Sequence, residues 1–133
     1  MGDSRRGEYA MNAQAALQTF WSGFGWTAWE ENTVPENAFS RANQYITYSA
    51  GESDFDRPIM LTASLWQRST SWTDVIMKAQ QIMNYIGMGG VIIATDEGAI
   101  WIKRGTPFSQ RMSDEDPAVR RIYINIEVEF IRN

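Results

Sequence analysis

Cysteine and histidine are both missing from this chain. Their absence excludes a disulfide framework, zinc held by Cys or His, a cysteine nucleophile, a Ser-His-Asp triad and a switch built on imidazole titration. Lysine is scarce: Lys78 and Lys103 stand against ten arginines. Acidic residues outnumber basic ones by 16 to 12, so the strongly basic footprint of a nucleic-acid binder is lacking. No apolar run approaches the roughly 20 residues that a membrane span needs. The opening MGDSRRGEYA has no apolar signal-peptide core, and Arg6 stands where a myristoylation motif wants Ser or Thr. A soluble protein made in the cytosol, with no membrane partner, is expected.

What remains for chemistry is carboxylates, arginine, two amines, hydroxyls and tyrosines. The 133 residues suffice for one buried core without metals or disulfides. Six tryptophans serve either that core or an interface, and an Arg-rich, Lys-poor basic set fits interfaces.

Residues 1–9 read as a flexible polar arm and 10–133 as a single domain. From Tyr9 to about Phe24, Ala10, Ala13, Ala16, Leu17, Phe20 and Trp21 recur at helical spacing, and Gly23 and Gly25 end the run. Residues 25–44 show no clean period and read as a long connection carrying aromatic rings. A strand follows at 45–49, a turn at 50–54, and a second strand over Ile59–Arg68. That strand places Leu61, Ala63 and Leu65 on one face and Thr62, Ser64 and Trp66 on the other. Ser71 and Asp74 suggest a relative of the capping box before a helix over 74–86. Its apolar stripe is Val75, Ile76, Ala79, Ile82, Met83 and Ile86, and Gly87 closes it. Residues 91–95 and 99–103 form a hairpin, 104–117 a polar loop, and the end a strand of strict alternation. In that strand Ile122, Ile124, Ile126, Val128 and Phe130 share one face, and Arg121, Tyr123, Asn125, Glu127 and Glu129 the other. The fold class is α+β: a mostly antiparallel sheet of four to five strands with helices packed on one face.

No reaction centre assembles from this pattern. Glu30-Glu31, Asp54 with Asp56, and Asp114-Glu115-Asp116 are acidic clusters, but adjacent acids in loops are ordinarily solvated turns. Asp54-Phe55-Asp56 lacks the spacing of a calcium loop, and Gly87-Met88-Gly89-Gly90 ends a helix where a phosphate loop would begin one. Lys78 lies on the polar side of its helix, where solvent exposure is expected. The reading is therefore no enzyme, with no catalytic residue, cofactor or metal.

Charge is distributed unevenly. Residues 30–56 hold Glu30, Glu31, Glu36, Glu52, Asp54 and Asp56 against Arg41, whereas 103–121 carry a small positive excess from Lys103, Arg104, Arg111, Arg120 and Arg121. Unlike ends can associate head to tail, and such a contact closes into a ring when its rotation permits; both segments can equally be solvated loops.

The order of parts also resembles a known family. A leading helix runs into Val34-Pro35-Glu36, then Gln44-Tyr45-Ile46-Thr47-Tyr48, then a strand ending Leu65-Trp66-Gln67-Arg68. A helix, a hairpin, a polar loop and a strand ending Glu127-Val128-Glu129-Phe130 complete it. Across residues 10–131 this resembles the tail terminator (tail completion, minor tail or capsid) proteins of long-tailed bacteriophages. The resemblance implies a virion structural protein of the tail or neck, assembled in the bacterial host cytoplasm. Such a protein forms a homo-hexameric ring that caps the tail tube, ends its polymerisation and presents a surface to the head-tail connector. DNA would pass through an acidic lumen without specific binding. On this reading Arg104, Phe108 and Arg111 are the anchors of an inter-subunit or tube-facing loop, and Tyr123, Glu127 and Glu129 line the ring. A tail-tube subunit or head-tail stopper is the alternative, followed by a small metal-dependent enzyme.

Overall fold

Four side chains on one side of the last strand, Ile124, Ile126 and Val128 with no exposure and Ile122 nearly so, define the centre of the core. The computed structural model describes residues 12–51 and 57–132. Elements run in the order α1 (Ala13–Ser22), β1 (Thr27–Glu30), α2 (Ala38–Arg41), β2 (Gln44–Tyr48), β3 (Ile59–Arg68), α3 (Thr73–Ile86), β4 (Val91–Thr95), β5 (Gly98–Met112) and β6 (Val119–Arg132). The class is α+β. Six strands form one curled sheet in the order β1-β2-β3-β6-β5-β4. Every pairing is antiparallel except the parallel pair of β1 with β2.

The sheet has more strands than the sequence pattern indicates, because the segment between residues 25 and 44 is not a plain connection. It contributes β1 and the short α2. A four-residue strand is too short to display a period of two, so the signal is lost among Trp26, Trp29 and the polar residues around them. The helix expected from Tyr9 is seen from Ala13 onward; its earlier part, the 1–9 arm and most of the 50–54 turn lie outside the described residues.

Helix α1 starts where the Asn12 side chain accepts a hydrogen bond from the Ala15 N–H at 2.7 Å, satisfying one of the donors a helix start leaves free. It buries Ala16, Leu17, Phe20 and Trp21. Curling of the sheet brings both of its edges, β1 and β4, against this helix. Helix α3 lies over β3, β5 and β6 and buries Val75, Ala79, Ile82 and Ile86. Its expected capping box is absent. The Ser71 hydroxyl instead accepts from the Thr73 N–H, and the Asp74 carboxylate accepts from the Gln67 amide. Gly87, at φ 70°, ends α3 in the left-handed conformation that glycine adopts without penalty. Among the described residues, α1 and α3 are the helices that cover the core face. Helix α2 sits on the opposite side, with Phe39 against Tyr45 at 4.9 Å.

The segment 104–117, expected as a polar loop, is strand as far as Met112. Its pairing with β6 shifts between Arg104 and Ser109, so residues 105–108 stand opposite Asn125. Hydrophobic alternation is broken across such a bulge, which hides the strand from a period-two reading. Asn125 closes the bulge by donating from Nδ2 to the Pro107 carbonyl at 2.9 Å. Gly105 is required there, since a Cβ would lie 2.7 Å from the Asn125 carbonyl oxygen.

Leu17 packs with no exposure where α1 meets the curled sheet. Leu17→Ala is expected to cost about 2–5 kcal/mol by emptying that space. Urea denaturation checks this: the midpoint should fall with little change in slope.

Candidate functional site

The sheet face away from α1 and α3 is the surface on which polar, charged and aromatic groups converge. Cross-strand register dictates its rows. Tyr45, Trp66 and Arg121 are opposite one another on β2, β3 and β6, and Thr47, Ser64 and Tyr123 form the next row. Tyr45 and Trp66 stack at 6.0 Å and 19°, while Trp29 meets Tyr45 at 5.2 Å. The Arg121 guanidinium lies 4.5 Å over the Trp66 ring and 5.7 Å from that of Tyr123. Its Nε donates to the Ser64 hydroxyl at 3.1 Å, and Trp66 Nε1 donates to the Thr47 hydroxyl at 2.9 Å. These contacts fix the plane of the guanidinium and the tilt of the indole. Together with Glu31, Val34, Thr62 and Ala63, the same residues line a groove of about 400 Å³.

The far part of the face is ionic. Lys103 Nζ sits 3.0 Å from Glu127 and 3.8 Å from Glu129, and 4.2 Å over the Trp101 ring. Cross-strand placement produces this, because Lys103 is opposite Glu127 and Trp101 opposite Glu129. Met60 and Ile92, half or more exposed, add apolar area to the same face.

The six residues named from sequence do not come together. Tyr123, Glu127 and Glu129 lie on the face away from α1 and α3; Arg104, Phe108 and Arg111 belong to the core side of β5. Arg104, expected as a loop anchor, donates from Nε to the Met83 carbonyl at 3.0 Å and approaches Met88 Sδ at 3.6 Å. It thus shares with the Gly87 N–H a carbonyl in the last turn of α3, where a cation also opposes the helix dipole. Phe108 packs against the core. Arg111 is exposed and stacks at 5.0 Å on Trp72, which Arg120 shares at 5.4 Å. Lys78 is not fully solvated either: its amine donates to the Phe24 carbonyl at 2.6 Å and to Gln81 Oε1 at 2.7 Å, and burial pushes its pKa down. Of the acidic and basic segments, Glu31 and Arg121 line one groove, while Glu52, Asp54 and Asp56 lie outside the described residues.

Burial pushes the Tyr45 phenol above its usual pKa, with Asp114 acting in the same direction and Arg68 against it. Burial, with Glu30 adding, does the same to Tyr48, whose hydroxyl donates to the Gln18 side chain. Of the groove residues, Arg121 and Trp66 carried a signal in the alternation of their strands, which put them on the solvent side. Nothing in the sequence paired them, since they are 55 positions apart.

Among the described residues no cluster of three or more acidic side chains is arranged to hold a metal ion, and no helix is long and apolar enough to cross a membrane. No protein-family model matches the chain, and no curated protein matches it.

Two outcomes follow from this geometry. Arg104→Gln should lower stability by about 1.5–3 kcal/mol through loss of a charge-assisted bond to α3, whereas Arg111→Gln should stay within about 1 kcal/mol; thermal unfolding of both variants separates them. In an alkaline absorbance titration, Tyr45 and Tyr48 should ionise above the ordinary value of 10.0. The folded chain then holds phenol protons that the unfolded chain has released, so stability falls as pH rises past 10 and through the raised values.

Proposed function

We propose that this chain is a structural subunit of a phage neck or tail. It assembles as a ring that caps the tail tube, ends tube polymerisation and offers the head-joining surface. The observation that carries this reading is the sheet face away from α1 and α3. One side of the sheet is closed by α1 and α3 around an apolar core. The other presents Trp66, Arg121, Tyr123, Trp101, Met60 and Ile92, the kind of aromatic, Arg and Met surface enriched in protein interfaces.

Such a subunit works by shape and contact, without a reaction centre or cofactor. Ending a polymer requires copying the tube's interface on one side and presenting a different surface on the other. A sheet with unlike faces and unlike edges supplies that asymmetry. The negative net charge suits a lumen through which DNA passes, because phosphates find few cations there to replace their counterions. Hexameric order, a place in the virion and contacts with the tube protein and connector belong to the same proposal.

Light scattering on a sizing column, followed by negative-stain imaging of the peak, tests it. Closed six-fold rings, or recruitment of the chain to the ends of added tail tubes, are expected. Long filaments would identify a tube subunit instead. A monomer that tubes do not recruit would overturn the assignment.

A further inference from the structure

The groove on the face away from α1 and α3 carries two charges, and neither is neutralised among the described residues. Arg121 makes no ion pair among the described residues; the three that occur there are Arg68–Asp116, Lys103–Glu127 and Lys103–Glu129. Its Nε is committed to Ser64, and its guanidinium lies against the rings of Trp66 and Tyr123. The terminal amino groups are therefore held in a fixed plane, half-buried, with no carboxylate among the described residues to meet them. A guanidinium pinned this way is a prepared fork for a bidentate carboxylate. Leaving it partly desolvated without a counter-charge is costly.

Glu31 is the other charge. It directly follows β1, is exposed, and its carboxylate takes no hydrogen bond among the described residues; only its backbone N–H is used, on the Tyr48 carbonyl. Strand order separates the two groups. Glu31 adjoins β1 and Arg121 is on β6, with β2 and β3 between them. Three inter-strand spacings, about 14 Å, separate their backbones across the sheet, and no ion pair joins them. Each copy of the chain thus offers one unmatched cation and one unmatched carboxylate at opposite sides of one aromatic-floored groove.

We propose that Arg121 receives the Glu31 carboxylate of a second copy of this chain, with the exposed rim of the groove closing over Trp66 and Tyr123. One such contact leaves a free Glu31 and a free Arg121 on the outer copies. The contact can therefore repeat and close on itself. The inference rests on the self-assembling reading above and names the charge pair that would drive it.

The test is charge reversal read by light scattering over a range of concentrations and salt. Wild-type self-association should weaken as salt rises. Arg121→Glu and Glu31→Arg should each weaken it by at least about tenfold, because each sets like charges against one another. An equimolar mixture of the two variants should recover it, since each then supplies the charge the other lacks. Thermal unfolding verifies that the variants are folded. If Arg121→Glu unfolds through loss of the Ser64 bond, Arg121→Gln takes its place and must weaken association alone. Variants that assemble like wild type, or a mixture that recovers nothing, overturn the contact and leave the ring reading standing. A wild-type chain that stays monomeric also overturns the contact, and the ring reading falls with it only if tail tubes fail to recruit the chain.

Discussion

Strand β6 is hydrogen-bonded along both sides, to β3 and to β5, and its register is what the remaining structure hangs on. Side chains alternate along a strand, so sliding β6 by one residue would turn Ile122, Ile124, Ile126 and Val128 outward. It would also drive Arg121, Tyr123 and Glu127 under the helices. Each of the four apolar side chains contributes roughly 1.5–3 kcal/mol of burial before entropy is counted, and the displaced charges would lose hydration with no partner. The register is thereby held from both faces. It also decides which residues meet on the open side: Arg121 opposite Trp66, and Glu127 opposite Lys103.

The bulge in β5 shows how one local irregularity serves two purposes. By setting residues 105–108 against Asn125, it lets a long strand bend while returning Arg111 to the core-side row opposite Ile122. Arg104, just before the bulge, reaches the carbonyl of Met83 and ties sheet to helix. A basic residue in a polar stretch looks like a contact for a partner. Here its partner is the end of α3, a group that becomes available only once the helix has packed against the sheet.

The electrostatics of the open face divide along the same lines. Lys103 answers both Glu127 and Glu129 within the chain, leaving that part of the face with one negative charge in excess. Arg121 and Glu31 are kept apart by two intervening strands, and neither has an ion-pair partner among the described residues. Their separation follows from topology: β1 is an edge strand paired to β2, and β6 is two places beyond. Aromatic rings between them provide a hydrophobic floor that would strengthen any charge contact made over it by displacing water.

Local pattern was enough to read α3, β3, β6 and the β4–β5 hairpin, because each spans several periods of its own repeat and buries one side. The same alternation put Trp66 and Arg121 on the solvent side. Local pattern failed at β1, which is too short to repeat, and along β5 beyond Arg104, where the bulge breaks the alternation. It also failed at the capping of α3, where Gln67 from a neighbouring strand takes the Asp74 carboxylate. Residue order alone dictates which side chains avoid water, and hence the two faces of each long element. Only the tertiary structure decided which solvent-side residues become neighbours, because cross-strand register and strand order join positions that no spacing along the chain connects.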